Sequence, residues 1–94
     1  MPQDEAEAVR WYTRAADQGL PIAQFDLAYM YENGKGVMND CERAVRLYEV
    51  AALSVPTARH NLAVIYAQGS GPVRKDPIIA YKWAVLSFAV KRFA

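Results

Sequence analysis

Cys41 and His60 carry the sharpest potential chemistry in this 94-residue chain, and each is the only residue of its type. A thiol beside an imidazole is the minimum for nucleophilic catalysis, because the base takes the thiol proton. Cys41 falls in the opening turn of one expected helix and His60 in the next, and nothing in the spacing brings them together. As metal ligands they are two soft donors, short of the four that usually hold zinc. The segment Asn33-Gly34-Lys35-Gly36 suggests phosphate binding, but a phosphate-cradling loop needs a preceding strand and a Gly-Lys-Ser/Thr ending. Here helix-periodic sequence precedes and Val37 follows Gly36. Asn-Gly is also a hairpin signal, yet its flanks do not alternate as strands do. The expectation is a chain with no catalytic residue, cofactor or metal, hence not an enzyme.

Composition narrows the partners. Eleven Lys plus Arg against ten Asp plus Glu leave a formal charge of +1, so there is no basic surplus of the kind nucleic acid calls for. A hydrophobic content of 53% is ample for a folded core. One cysteine cannot form an internal disulfide, so the chain needs no oxidising compartment. The acidic start, MPQDEAEAV, lacks the basic-then-apolar order of a signal peptide. The most apolar stretch, 77–90, contains Lys82 and falls short of the roughly 20 residues that span a bilayer. No membrane insertion is expected, and the reading is a soluble chain leaning to the cytoplasm.

The elements that must carry any site come from self-similarity. Asp4, Asp40 and Asp76 are 36 residues apart, as are Ala8, Ala44 and Ala80, and Trp11, Leu47 and Trp83. Between them a second element recurs at a step of 35: Ala23 and Ala58, Leu27 and Leu62, Tyr31 and Tyr66, Gly34 and Gly69, Gly36 and Gly71. A residue is missing between Ala51 and Ala58, and Pro72 restores the step. Fixed self-similarity at this period signals a stacked array.

Each element reads as a helix. Ala8, Trp11, Tyr12 and Ala15 share one helical face, and Ala23, Leu27 and Tyr31 fall four apart. Asp4, Asp40 and Asp76 are N-caps, with Glu7 placed as in a capping box and Pro77 at a first helical position. Gly34 and Gly69 suit the left-handed stop of a helix. The spacing predicts helices over 5–18, 20–33, 41–53, 56–68 and 77–92 and no strand. Alanines at 15, 23, 28, 44, 51, 58 and 63 let neighbouring axes approach closely, with an aromatic one turn away filling the groove.

The series Ala23, Leu27, Ala28, Tyr31, Gly34, Gly36, Val37, Asp40, Ala44, Tyr48, Ala51 and Ala52 resembles the Sel-like repeat family, close kin of the tetratricopeptide repeats. A third unit keeps Ala58, Leu62, Ala63, Tyr66, Gly69, Gly71, Val73, Asp76 and Ala80, but has Ala84 and Ser87 where Tyr48 and Ala51 stand. The resemblance implies an all-α, right-handed solenoid of antiparallel helix pairs. Its expected organisation is one repeat domain over 1–94: the second helix of a truncated repeat at 4–18, a complete repeat at 19–54 and a third at 55–94. A cysteine-rich branch of this family is associated with β-lactam binding. Those cysteines and any Ser-x-x-Lys are absent here, and that activity is not carried over.

The family role implied is a scaffold that holds a protein or peptide partner. In related solenoids the first helix of each pair lines the concave face. The positions left for it once packing residues are removed are Phe25, Tyr29, Glu32 and Asn33, then His60, Val64 and Gln68. Phe25 and Tyr29 read equally as exposed anchors or as packing between adjacent pairs. Solenoid ends need polar caps, and the last helix closes on apolar Phe88, Val90 and Phe93. The further expectation is a fragment of a longer array, or self-association through uncapped terminal helices.

Overall fold

A computed structural model describes residues 4–93, with side chains described from 4 to 87. It holds five helices: α1 (Glu5–Asp17), α2 (Pro21–Asn33), α3 (Cys41–Ala51), α4 (Pro56–Gln68) and α5 (Pro77–Phe93). Among the described residues there is no strand beyond a bridge between Ser70 and Val73. No helix among them is long and apolar enough to cross a membrane. Each helix packs chiefly on its chain neighbours; α2 against α3 and α4 against α5 meet most extensively, and α3 against α4 least. The apolar side chains of Phe88, Val90 and Phe93 lie outside the described residues.

Local chemistry sets the boundaries. The Asp4 carboxylate accepts from the Ala6 and Glu7 amides, Asp40 from Arg43, and Asp76 from Ile78 and Ile79. Each cap satisfies amides that a first helical turn leaves without partners. The other two helices begin at Pro21 and Pro56 with no side-chain cap; proline's fixed φ and missing N–H suit that position. The sequence spacing placed these starts at 20 and 56, and the structure sets them at Pro21 and Pro56.

Two clusters form the core. The larger joins Ala28, Ala44, Tyr48, Ala51, Ala58, Leu62 and Ile65, and Tyr48 and Leu62 are its largest fully buried side chains. The smaller joins Ala8, Val9, Leu27 and Met30, with Val37 of the corner packed on it. Six of the seven expected small contacts, Ala23, Ala28, Ala44, Ala51, Ala58 and Ala63, are buried below a tenth exposure, and Ala15 is half-buried.

The glycine corners close alike but travel differently. The Asp40 amide donates to the Tyr31 carbonyl at 2.9 Å, and the Asp76 amide to that of Tyr66 at 2.8 Å. Gly34 takes the left-handed conformation (φ 64, ψ 42), whereas Gly69 has φ 75 but ψ 151. The second stop therefore departs from the left-handed cap expected of it. The reason is Pro72: the extra residue is taken up by a tight link in which Ser70 and Val73 exchange backbone hydrogen bonds at 2.9 Å each.

Candidate interaction face

The chemistry considered first does not assemble. Cys41 is 2% exposed and its thiol donates to the Ser70 hydroxyl at 2.8 Å, while His60 is exposed on α4. Cys41 and Ser70 thus tie the start of α3 to the following corner. Among the described residues no group of three or more His, Cys, Asp or Glu could hold a metal ion. In the Gly34–Gly36 corner the Lys35 amide donates to the Met30 carbonyl at 2.9 Å. Its ammonium lies 5.5 Å above the Tyr29 ring, a cation–π approach. The corner serves helix termination.

The seven expected face residues divide by what they touch. Phe25 is half-buried, and its ring centroid lies 5.5 Å from that of Tyr48 with the planes tilted by 55°; such tilted pairs add to ordinary burial. Glu32 is half-buried and accepts the Tyr48 hydroxyl proton at 2.6 Å, while its backbone carbonyl accepts from Asn39 at 2.6 Å. Asn33 is exposed and its amide donates back to the Tyr29 carbonyl at 2.9 Å. Tyr29 is 44% exposed and Val64 38%, and His60 and Gln68 are exposed as well. Tyr29, Asn33, His60, Val64 and Gln68 therefore face solvent from α2 and α4, and Phe25 and Glu32 are engaged with Tyr48.

Tyr48 is the organising residue. It springs from α3, meets Phe25 and Glu32 of α2, and is buried in one cluster with Ala58, Leu62 and Ile65 of α4. Burial first, and the Glu32 carboxylate second, push its ionisation far above the ordinary phenol range. The phenol is therefore held in its neutral, donating form at neutral pH. A neighbouring pair works at the surface: the Arg43 guanidinium donates to the Tyr31 hydroxyl at 3.1 Å and lies 5.2 Å over its ring.

One region was missed by reasoning from sequence. Between α4 and α5 runs an open groove of about 420 Å³, lined by His60, Ala63, Val64 and Ala67 on one side and Ala80, Tyr81 and Ala84 on the other. The signal was present in Ala84, which stands where the preceding unit has Tyr48.

Comparison with known proteins places this arrangement. The Sel1 repeat matches residues 1–20, 21–54 and 56–87. A chitin synthase regulator of Saccharomyces cerevisiae is 54% identical over 50 residues, covering 53% of this chain and 7% of that protein. Protein sel-1 homolog 2 of Mus musculus is 41% identical over 66 residues, covering 69% of this chain and 9% of its own. The chain thus spans less than a tenth of these relatives' lengths. Among solved structures, a protective antigen of uropathogenic Escherichia coli with an SLR fold superposes with a TM-score of 0.88 at 36% identity, over 95% of this chain and 19% of that one. A Sel1 repeat protein from Oxalobacter formigenes gives 0.81 at 35%, over 93% and 36%.

Proposed function

The chain belongs to the Sel1 repeat family, and from that premise we propose that it is a non-enzymatic scaffold that binds a protein or peptide on the exposed face of α2 and α4. Sel1 repeats are typically protein–protein interaction modules, and relatives named as regulators fit a role without catalysis of its own. The observation that carries the reading is Tyr29. It is a large aromatic left 44% exposed on a helix whose other two aromatics are engaged, Phe25 with Tyr48 and Tyr31 with Arg43. Exposed aromatic side chains on a rigid helix are the usual anchors of an interface. Beside it the face offers Asn33 on α2, and His60, Val64 and Gln68 on α4, while Phe25 and Glu32 hold α2 in place through Tyr48. Selection from a displayed peptide library, followed by titration of the winning peptide, tests the reading. Replacing Tyr29 and His60 together by alanine is expected to remove binding with the helical circular dichroism unchanged. Full retention of affinity in that double variant would sink the assignment.

A second reading has its own support. On α5, Ile78, Tyr81, Val85 and Leu86 are exposed at 73%, 71%, 44% and 47%, a wide apolar surface for one helix. In this reading the chain is an assembly piece that associates through its terminal helices. Sedimentation across a concentration series separates the two, since association through α5 is weakened by Val85→Lys and is indifferent to Tyr29→Ala.

A further inference from the structure

The corner after α2 holds the one asparagine–glycine pair in the chain. Asn33 is followed by Gly34, whereas Asn39 precedes Asp40 and Asn61 precedes Leu62. That pair has a chemistry of its own that helix termination does not use. The backbone nitrogen after an asparagine can attack the carboxamide carbon, and glycine, having no Cβ, leaves the approach open. The counterpart in the next unit is Gln68–Gly69, where the extra methylene demands a larger ring that closes far more slowly. Asn33 and Gly34 are both exposed, so water reaches them.

The fold holds both reactants. Nδ2 of Asn33 donates to the Tyr29 carbonyl at 2.9 Å. The Gly34 N–H donates to the Met30 carbonyl, which also accepts from Lys35 at 2.9 Å. The attacking nitrogen must first lose its proton, and an N–H held on a carbonyl is protected from that loss until the turn opens. A second clasp lies alongside. The Asn39 side chain donates to the Glu32 carbonyl at 2.6 Å, and a Cβ on Gly34 would lie 3.4 Å from that of Asn39. The last turn of α2 is thus the latch, and helix ends are where opening costs least.

We propose that Asn33–Gly34 is a self-modification site kept closed by this latch, and that opening of the last turn of α2 converts Asn33 to aspartate and isoaspartate. In the open corner the Gly34 nitrogen gives its proton to hydroxide and bonds to Cγ of Asn33. The Cγ–Nδ2 bond breaks, and ammonia leaves with a proton taken from water. Water then opens the five-membered succinimide. Cleavage at Cγ leaves aspartate, and cleavage at the backbone carbonyl leaves isoaspartate, whose main chain runs through the side-chain carbon. Either product places a carboxylate at position 33, one turn from Tyr29. Isoaspartate also lengthens the main chain between Met30 and Gly34, so the hydrogen bonds on the Met30 carbonyl cannot re-form in register. This chemistry holds whether or not the α2–α4 face binds a partner.

The test holds the whole chain at mildly alkaline pH, with and without denaturing guanidinium. Time points are digested and read by mass spectrometry at Asn33, Asn39, Asn61 and Gln68. In denaturant Asn33 is expected to convert well ahead of the other three, at least about tenfold faster than in the native chain. Gly34→Ala should slow that denatured conversion, because its Cβ crowds the attacking nitrogen. Asn39→Ala removes the second clasp from an exposed position. It is expected to raise the native rate at Asn33 severalfold and leave the denatured rate unchanged. If Asn39→Ala loses helical circular dichroism, the parent chain in guanidinium below its unfolding midpoint serves instead, where the rate should climb ahead of the global transition. Equal native and denatured rates, or no preference for Asn33 in denaturant, overturn the proposal. So does a native rate that Asn39→Ala leaves unchanged, or one that rises only with global unfolding.

Discussion

In the α2–α3 unit a fully buried tyrosine joins three helices, whereas in the α4–α5 unit the same position is an exposed alanine. The backbones follow one plan, with an aspartate cap, a proline-led first helix and a glycine corner in each. Their corners diverge in the same sense. A Cβ on Gly36 would lie 2.8 Å from the Ala6 amide nitrogen, because this corner rests on the start of α1. A Cβ on Gly71 would meet nothing within 4 Å, since Pro72 and the Ser70–Val73 link carry that glycine outward. The repeat therefore specifies the helix framework, and the side chains between helices decide whether a unit is packed shut or left open.

The strongest way to break the comparison is to empty the filled unit. Tyr48→Ala is expected to cost about 3–5 kcal/mol, the range for losing a buried aromatic, read as a lower urea midpoint. Ala84→Tyr should move the midpoint far less, because its site faces solvent. Equal shifts would mean that the two positions are not counterparts.

Next in size is the corner. Gly36→Ala combines left-handed strain, about 1–2 kcal/mol, with a backbone collision of about 1–3 kcal/mol. Gly71→Ala bears only the strain. Thermal melts should rank Gly36→Ala below Gly71→Ala, and the reverse order would deny that the first corner is seated on α1.

The smallest effect concerns the Tyr48 hydroxyl. Its ionisation is raised in the folded chain above the ordinary value of 10.0. The stability this brings is fully present below about pH 10 and is lost as pH rises towards the folded value. Tyr48→Phe should cost about 1–2 kcal/mol at neutral pH, since it leaves Glu32 without its donor. The gap between parent and variant should then narrow above about pH 10, where Tyr66, also raised by burial, titrates in both. A gap that stays constant to pH 11 would contradict the buried, donating phenol.

Much of this framework was readable from residues. The 36-residue step of Asp4, Asp40 and Asp76 marked three helix starts, and Ala28, Ala44 and Ala58 marked the close contacts because only small residues recur there. The face was harder to read. Phe25 and Glu32 satisfy the pattern of an exposed helix face, and their turn towards Tyr48 depends on a residue of another helix. Periodicity within α2 carries no information about that partner. The joint change of Phe25, Glu32 and Tyr48 to His60, Ala67 and Ala84 does carry it, and reading the units against each other would have linked them. Gly69 misled for a similar reason, as its ψ is set by the insertion of Pro72 three residues later.

The most direct test of the scaffold reading is amide chemical-shift mapping of the isotope-labelled chain with a peptide selected for binding. The account predicts shifts centred on Tyr29, Asn33, His60, Val64 and Gln68, with α1 and the outer side of α3 unchanged. Shifts confined to α1 or α3, with those five residues silent, would contradict it.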